Sequence, residues 1–191
     1  QVLETTPECV DKFPTTIQDK RIWYDKKTLD IALDSTYKKE LKISDFIHTM
    51  VQSDSSWGID KNNFDIECYR KSGDIELTDE QLSLLHNIIK YNICTLVGNA
   101  GSGKTSAVQS VIKMLQDNHK LFRLLTPTGK ASRVLSKYTK CAASTIHRGL
   151  LYNPSDGWGY NENCKLPYDI IIVDESSMVD ISLFCRLIDA I

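Results

Sequence analysis

The residue pattern predicts an α/β fold, with a parallel sheet flanked by helices over residues 74–191 and a small α+β domain over residues 1–73. Three observations predict it. A glycine-rich loop, Gly98-Asn99-Ala100-Gly101-Ser102-Gly103-Lys104-Thr105, lies between an apolar run and a helix-patterned stretch. Two further apolar runs, residues 121–126 and 170–173, each lead straight into a polar loop. Segments of helical period separate these runs. Strands alternating with helices imply parallel pairing, with ligand-binding loops at the carboxyl ends of the strands.

Each element has its own signal. Residues 1–73 are rich in Asp and Lys and carry no phosphate or metal motif. Within them, residues 28–33 predict a short strand. Residues 35–51 predict an amphipathic helix with Leu41, Phe46, Ile47 and Met50 as core contacts. His48 on that helix has no neighbour at metal-ligand spacing and reads as a packing or surface histidine. Lys71-Ser72-Gly73-Asp74 marks the domain boundary. Residues 78–91 predict a helix with Thr78 as N-cap and Leu82, Leu85, Ile88 and Ile89 on one face. Ile93-Cys94-Thr95-Leu96-Val97 predicts the strand that enters the glycine-rich loop, and Ala107, Val108, Val111, Ile112 and Leu115 mark the helix that leaves it. Residues 121–126 predict a second strand, with Pro127-Thr128-Gly129 turning into a helix near residues 130–136. A short strand is expected around 141–144 and a hairpin or loop over 153–167. The β-branched run Ile170-Ile171-Ile172-Val173 reads as a strand covered on both faces, followed by a helix from about residue 180. That helical pattern is still running at Ile191, so the chain reads as a fragment of something longer.

Composition narrows the classes. With 41% hydrophobic and 25% charged residues, the chain has the composition of an ordinary soluble globular protein. No apolar stretch approaches a membrane span and no signal pattern opens the chain, so a cytoplasmic protein without a membrane partner is expected. Six cysteines without C-x-x-C spacing fit reduced thiols better than a zinc site or a disulfide framework. The net charge of −2 hides an uneven distribution: residues 98–150 hold nine Lys/Arg against one acid, Asp117. Lys130, Arg133, Lys137, Lys140 and Arg148 lie beyond the glycine-rich loop. Charge alone allows two readings, a polyanionic partner such as nucleic acid or a solvated helix face.

The chemistry rests on the loop. Residues 98–105 match G-x-x-x-x-G-K-[ST] in full, the phosphate loop of P-loop NTPases. Its glycines let backbone N–H groups approach a polyphosphate, and the following helix aims its positive end at the anion. Lys104 would reach the β- and γ-phosphates and the Thr105 hydroxyl would bind Mg²⁺. Residues 98–106, Ser106 included, therefore form the expected cofactor site for ATP. Asp174, at the end of the 170–173 strand, would hold the Mg²⁺ shell from the opposite side. Glu175 would orient and deprotonate an attacking water, making it catalytic together with Lys104. That second carboxylate favours hydrolysis over transfer to a metabolite. The alternative for Asp174-Glu175 is an N-cap and first-turn acid pair for the next helix.

Four segments taken together carry a resemblance. Residues 98–105, then Leu125-Thr126-Pro127-Thr128-Gly129-Lys130-Ala131, then Ser144-Thr145-Ile146-His147-Arg148, then Ile172-Val173-Asp174-Glu175-Ser176-Ser177-Met178-Val179-Asp180 resemble the ordered motifs of RecD-like superfamily 1 DNA helicases, the family of the exonuclease V alpha subunit. The likeness covers residues 75–191; residues 31–40 are similar to the segment preceding the motor in that family, and Ser176 stands where the family usually has Ala. The resemblance implies a RecA-like motor lobe. It implies that Gln81 reads the adenine edge, although Thr78-Asp79-Glu80-Gln81 also spells a capping box with Gln81 at its third position. It implies that Pro127, Thr128, Lys130, Arg133, Thr145 and His147 contact single-stranded DNA. The alternative for His147 is a buried histidine bridging two loops. Trp158 and Tyr160 read first as a hairpin core pair and second as base-stacking rings. The implied activity is an ATP-dependent DNA helicase with partners in a recombination or repair complex. By itself the chain is expected to bind MgATP, hydrolyse it slowly and unwind nothing. A nucleotide-switched protein-binding module and a P-loop phosphotransferase are the alternatives.

Overall fold

The computed structural model describes residues 21–25, 27–28, 30–53, 64–72, 75–99 and 101–191. It divides into two units, Gln1–Phe46 and Ile47–Ile191. Gly73 and Asp74, where the sequence sets its boundary, lie outside the described residues, as does Cys9.

In the first unit, β1 (Ile22–Tyr24) pairs antiparallel with β2 (Ile31–Leu33). Trp23 stacks on Tyr37 with ring centroids 3.9 Å apart. Helix α1 (Asp34–Gln52) begins in this unit. It forms where predicted, but its apolar positions are not core. None of its residues is buried, and Leu41 and Ile47 are 45% and 38% exposed. Amphipathic spacing is enough to direct a helix, whereas burial requires a facing element. His48 is exposed and its Nε2 lies 2.8 Å from the Gln52 amide nitrogen, one turn on.

The second unit is built around a parallel sheet. The short antiparallel pair β3 (Lys71–Ser72) and β4 (Ile75–Glu76) leads into α2 (Asp79–Lys90). Helix α2 starts at a complete capping box, carries Asp79 and Glu80 in its first turn and Lys90 in its last, and so suits the helix dipole at both ends. After the glycine-rich loop come α3 (Lys104–Asp117), β5 (Phe122–Thr126), α4 (Gly129–Thr139), β6 (Ala143–Thr145) and the one-turn α5 (Ile146–Gly149). The hairpin β7 (Tyr152–Asn153) and β8 (Gly157–Trp158) precedes β9 (Ile170–Val173) and α6 (Ile181–Asp189). The sheet order is β6–β5–β9, with both pairings parallel.

Alternation along β5 sends its side chains to two helical layers. Leu124 packs with Ile112 of α3 and Leu135 of α4. Leu125 faces Ile146, Leu150, Leu183 and Leu187 on the other face. A third cluster joins Leu82, Leu85 and Ile89 of α2 to Ala107, Val111, Met114 and Leu115 of α3.

One strand expectation needs correction. Ile93–Val97 joins no ladder among the described residues, and Val97 is 86% exposed. Of that run, Leu96 alone packs against the core. An apolar run becomes a strand by pairing, and among the described residues β9 pairs with β5 alone. Strand β9 does carry apolar contacts on both faces, Ile170 and Ile172 toward the α2–α3 cluster and Ile171 and Val173 toward the Leu125 cluster, and its residues stay half-buried with one edge unpaired among the described residues. Cys68, Cys94, Cys141 and Cys164 are free thiols. No helix among the described residues is long and apolar enough to cross a membrane.

Candidate nucleotide site and adjoining strand loops

Helix α3 sets the position of the glycine-rich loop. It packs on the face of β5 and reverses into that strand through residues 118–121, so its N-terminus points toward the carboxyl edge of the sheet. Its 14 residues span about 21 Å and the 5 residues of β5 about 16 Å, long enough to bring the first helical turn to that edge. Gly103 is the N-cap, in the left-handed region with φ 77°, and Gly101 is also left-handed with φ 79°. The positive φ favours glycine here, and a β-carbon on Gly103 would displace the Gln81 amide nitrogen from the loop.

The loop is folded on itself. Lys104 Nζ donates to the carbonyls of Gly98 at 2.6 Å and Asn99 at 2.7 Å, and Ser102 N–H donates to Asn99 O at 3.3 Å. Ser102 and Thr105 are exposed, Ser106 is half-buried and Ala107 is fully buried. Polar side chains thus face outward from a helix anchored by its apolar side. Ala100 lies outside the described residues.

Gln81 closes this loop from the side of α2. Its Oε1 accepts from Thr78 N–H at 3.0 Å while its own N–H donates to Thr78 Oγ1 at 3.3 Å. Its Nε2 donates to Ser102 O at 3.1 Å and Gly103 O at 3.3 Å. The capping motif is visible in the sequence; the far end of the same amide is not, because its partners lie 21 and 22 residues away.

The acid pair stands at the carboxyl end of β9. Asp174 N–H donates to Leu125 O at 3.0 Å, extending the ladder one residue past the strand. Asp174 Oδ1 accepts from Glu175 N–H at 3.0 Å. Glu175 is exposed and left-handed, with φ 55° and ψ 38°, and makes no side-chain capping bond. Capping of α6 falls to Asp180, whose Oδ1 accepts from Ser182 and Leu183 N–H at 2.9 Å each. The alternative role for Asp174-Glu175 as caps of that helix is therefore filled by another residue. The donors in question, a hydroxyl at Thr105 and a carboxylate at Asp174, are hard oxygens of the kind Mg²⁺ takes. No group of three or more His, Cys, Asp or Glu of metal-binding type occurs among the described residues, so an all-protein cage is not what these residues build.

Parallel register brings the remaining loops to the same edge. Thr126 sits opposite Thr145 and Leu125 opposite Val173, so residues 127–128, 146–147 and 174–175 leave the sheet side by side. Thr128 caps α4 by accepting from Ala131 N–H at 3.2 Å, and Thr145 caps α5 by accepting from Arg148 N–H at 3.2 Å. Each hydroxyl keeps its proton to donate outward. Pro127 is half-buried, and Lys130 and Arg133 are exposed on α4. His147 is exposed and not buried between loops. It stacks on Trp158 at 5.4 Å and meets Tyr152 edge-on at 5.6 Å, a trio that spacing does not announce. Trp158 and Tyr160 pack against the Leu125 cluster, in keeping with the hairpin core reading.

Behind the loop, Arg70 ties residues 67–69 to the start of α2. It contacts Glu67 Oε2 at 2.6 Å and Asp79 Oδ1 at 2.8 Å, and these carboxylates hold its guanidinium charged while it draws the Glu67 carboxyl below its ordinary range.

Comparison with known proteins gives concordant matches. The family described as AAA domain matches residues 81–191. An ATP-dependent RecD2 DNA helicase of Deinococcus radiodurans is 31% identical over 161 residues, covering 84% of this chain and 22% of that protein. A RecBCD enzyme subunit RecD of Haemophilus influenzae is 32% identical over 141 residues, 61% of this chain and 22% of that subunit. A subunit of the same description from Mycolicibacterium smegmatis is 28% identical over 138 residues, 59% of this chain and 25% of its own length. The chain thus spans 22–25% of the length of these relatives.

Proposed function

Because the chain belongs to the AAA domain family, in its RecD-like helicase branch, we propose that it supplies the ATP-binding part of an ATP-dependent DNA helicase or translocase. The observation that carries this reading is the glycine-rich cap of α3, a helix that runs back into β5, beside a parallel register that brings Asp174-Glu175 and the 127–128 and 146–147 loops to one edge.

MgATP would lie along residues 98–106 with its phosphates on the first turn of α3, where orphan N–H groups and the helix dipole favour an anion. Lys104 would exchange the Gly98 and Asn99 carbonyls for the β- and γ-phosphates. Thr105 and Asp174 would hold Mg²⁺, which neutralises charge developing on the phosphoryl oxygens. Glu175, exposed and with a side chain that makes no capping bond, would take the proton of the attacking water. Pro127, Thr128, Lys130, Arg133, Thr145 and His147 would track the phosphates of single-stranded DNA. Such contacts are sequence-independent and weaken with salt. Protein partners in a DNA-repair assembly are part of the same proposal.

The test is calorimetric titration of MgATP into the chain and into Lys104→Ala. The expected outcome is a saturable heat for the wild type and its loss in the variant, with both melting cooperatively. Equal heats from both proteins, or none from the wild type, would remove the nucleotide site and the motor reading with it.

A further inference from the structure

We propose that Gln81 is a positioning residue of the phosphate loop, holding two peptide planes so that the N–H groups of Gly103 and Lys104 are aimed before any phosphate arrives. The inference rests on the nucleotide-binding reading above and adds to it a role independent of the base.

The geometry carries it. A trans peptide is planar, with its C=O and the following N–H pointing in opposite directions. Gln81 Nε2 holds Ser102 O and Gly103 O, so the N–H groups of Gly103 and Lys104 must point away from Gln81. They belong to the N-cap and first residue of α3, where N–H groups have no partner within the helix. The orientation of the amide is set by its surroundings: Thr78 N–H can only donate and the two loop carbonyls can only accept. The anchor is firm, because Gln81 sits in the capped first turn of α2 and α2 packs on α3 through Leu82, Leu85, Ala107 and Val111. Gly103 admits the contact only because it lacks a side chain. Both ends of the amide are engaged, so Gln81 acts on the loop without touching a base.

The experiment uses Mg-tripolyphosphate, which carries the phosphates and no base, beside MgATP. Gln81→Met is neutral and removes both side-chain ends, while Gln81→Glu keeps the acceptor for Thr78 N–H and removes only the donor to the loop. Both variants are expected to bind Mg-tripolyphosphate about tenfold more weakly than wild type, the loss of two modest hydrogen bonds. Both variants are expected to melt cooperatively, and Gln81→Glu retains the N-terminal cap of α2, since a carboxylate completes the capping box. In amide NMR spectra of the free protein, the Gly103 and Lys104 resonances are expected to move in both variants. Unchanged tripolyphosphate affinity in Gln81→Met, with ATP affinity reduced, would overturn the proposal and leave Gln81 as a base reader. Failure of wild type to bind either ligand would instead sink the nucleotide site itself.

Discussion

Gly103 and Gly129 each stand at the start of a helix, yet their environments differ in sign. Gly103 is left-handed and its missing β-carbon leaves room for the Gln81 amide. Gly129 opens α4 without a positive φ, and a β-carbon added there would meet no atom within 4 Å. An L-residue in the left-handed region costs about 1–2 kcal/mol, so Gly103→Ala should lower stability by at least about that much and weaken tripolyphosphate binding. Gly129→Ala should be neutral or stabilising by up to about 1 kcal/mol, because alanine is the better helix former. Urea midpoints of the two variants check this; equal shifts would show that the Gly103 backbone carries no special constraint. Glu175 bears the same backbone cost without being glycine. Strained angles collect at functional positions, and the carboxylate that follows Asp174 is such a position. The glycine pattern of the loop is legible in the residues; the left-handed turn at Glu175 is not, since no residue type there signals it.

At the scale of elements, signals confined to one helical turn read true, while two expectations that depend on a distant neighbour do not. The capping box of α2, the G-K-T start of α3 and the turn before α4 all depend on residues within one helical turn, and these elements lie where the pattern sets them. The strand expected at 93–97 fails because pairing depends on a distant neighbour, and β9 keeps one edge unpaired among the described residues. Burial on α1 fails for the same reason, as spacing describes a face and not what covers it. Helix α6 offers a clean test of local control. Asp180 accepts two N–H bonds there, and the helix contributes Leu183 and Leu187 to the core. Asp180→Ala should cost about 1 kcal/mol. Asp180→Asn should recover most of it, because an amide oxygen caps nearly as well. Chemical denaturation with an unchanged slope is the measurement; a loss in Asp180→Asn as large as in Asp180→Ala would mean the charge, and not the cap, holds the helix.

For the whole molecule, the deciding property is where parallel pairing places charge. Because β5, β6 and β9 run the same way, three loops distant in sequence share one edge, which alternation of strands and helices already implied. Helix α4 leaves that edge with Lys130, Arg133 and Lys137 exposed at spacings of three and four, hence on one side of the helix. The sequence leaves two readings of this charge, a track for a polyanion or a solvated face. Salt dependence separates them. For single-stranded nucleic acid, each phosphate neutralised contributes about 0.7 to the slope of log affinity against log salt. Lys130→Ala and Arg133→Ala should each weaken binding of a homopolymer oligonucleotide and reduce that slope by about 0.7, while leaving MgATP affinity at the wild-type value. Fluorescence anisotropy across a salt series reads both quantities. A slope unchanged in both variants would return α4 to the role of a solvated face and confine any strand contact to Thr128, Thr145 and His147.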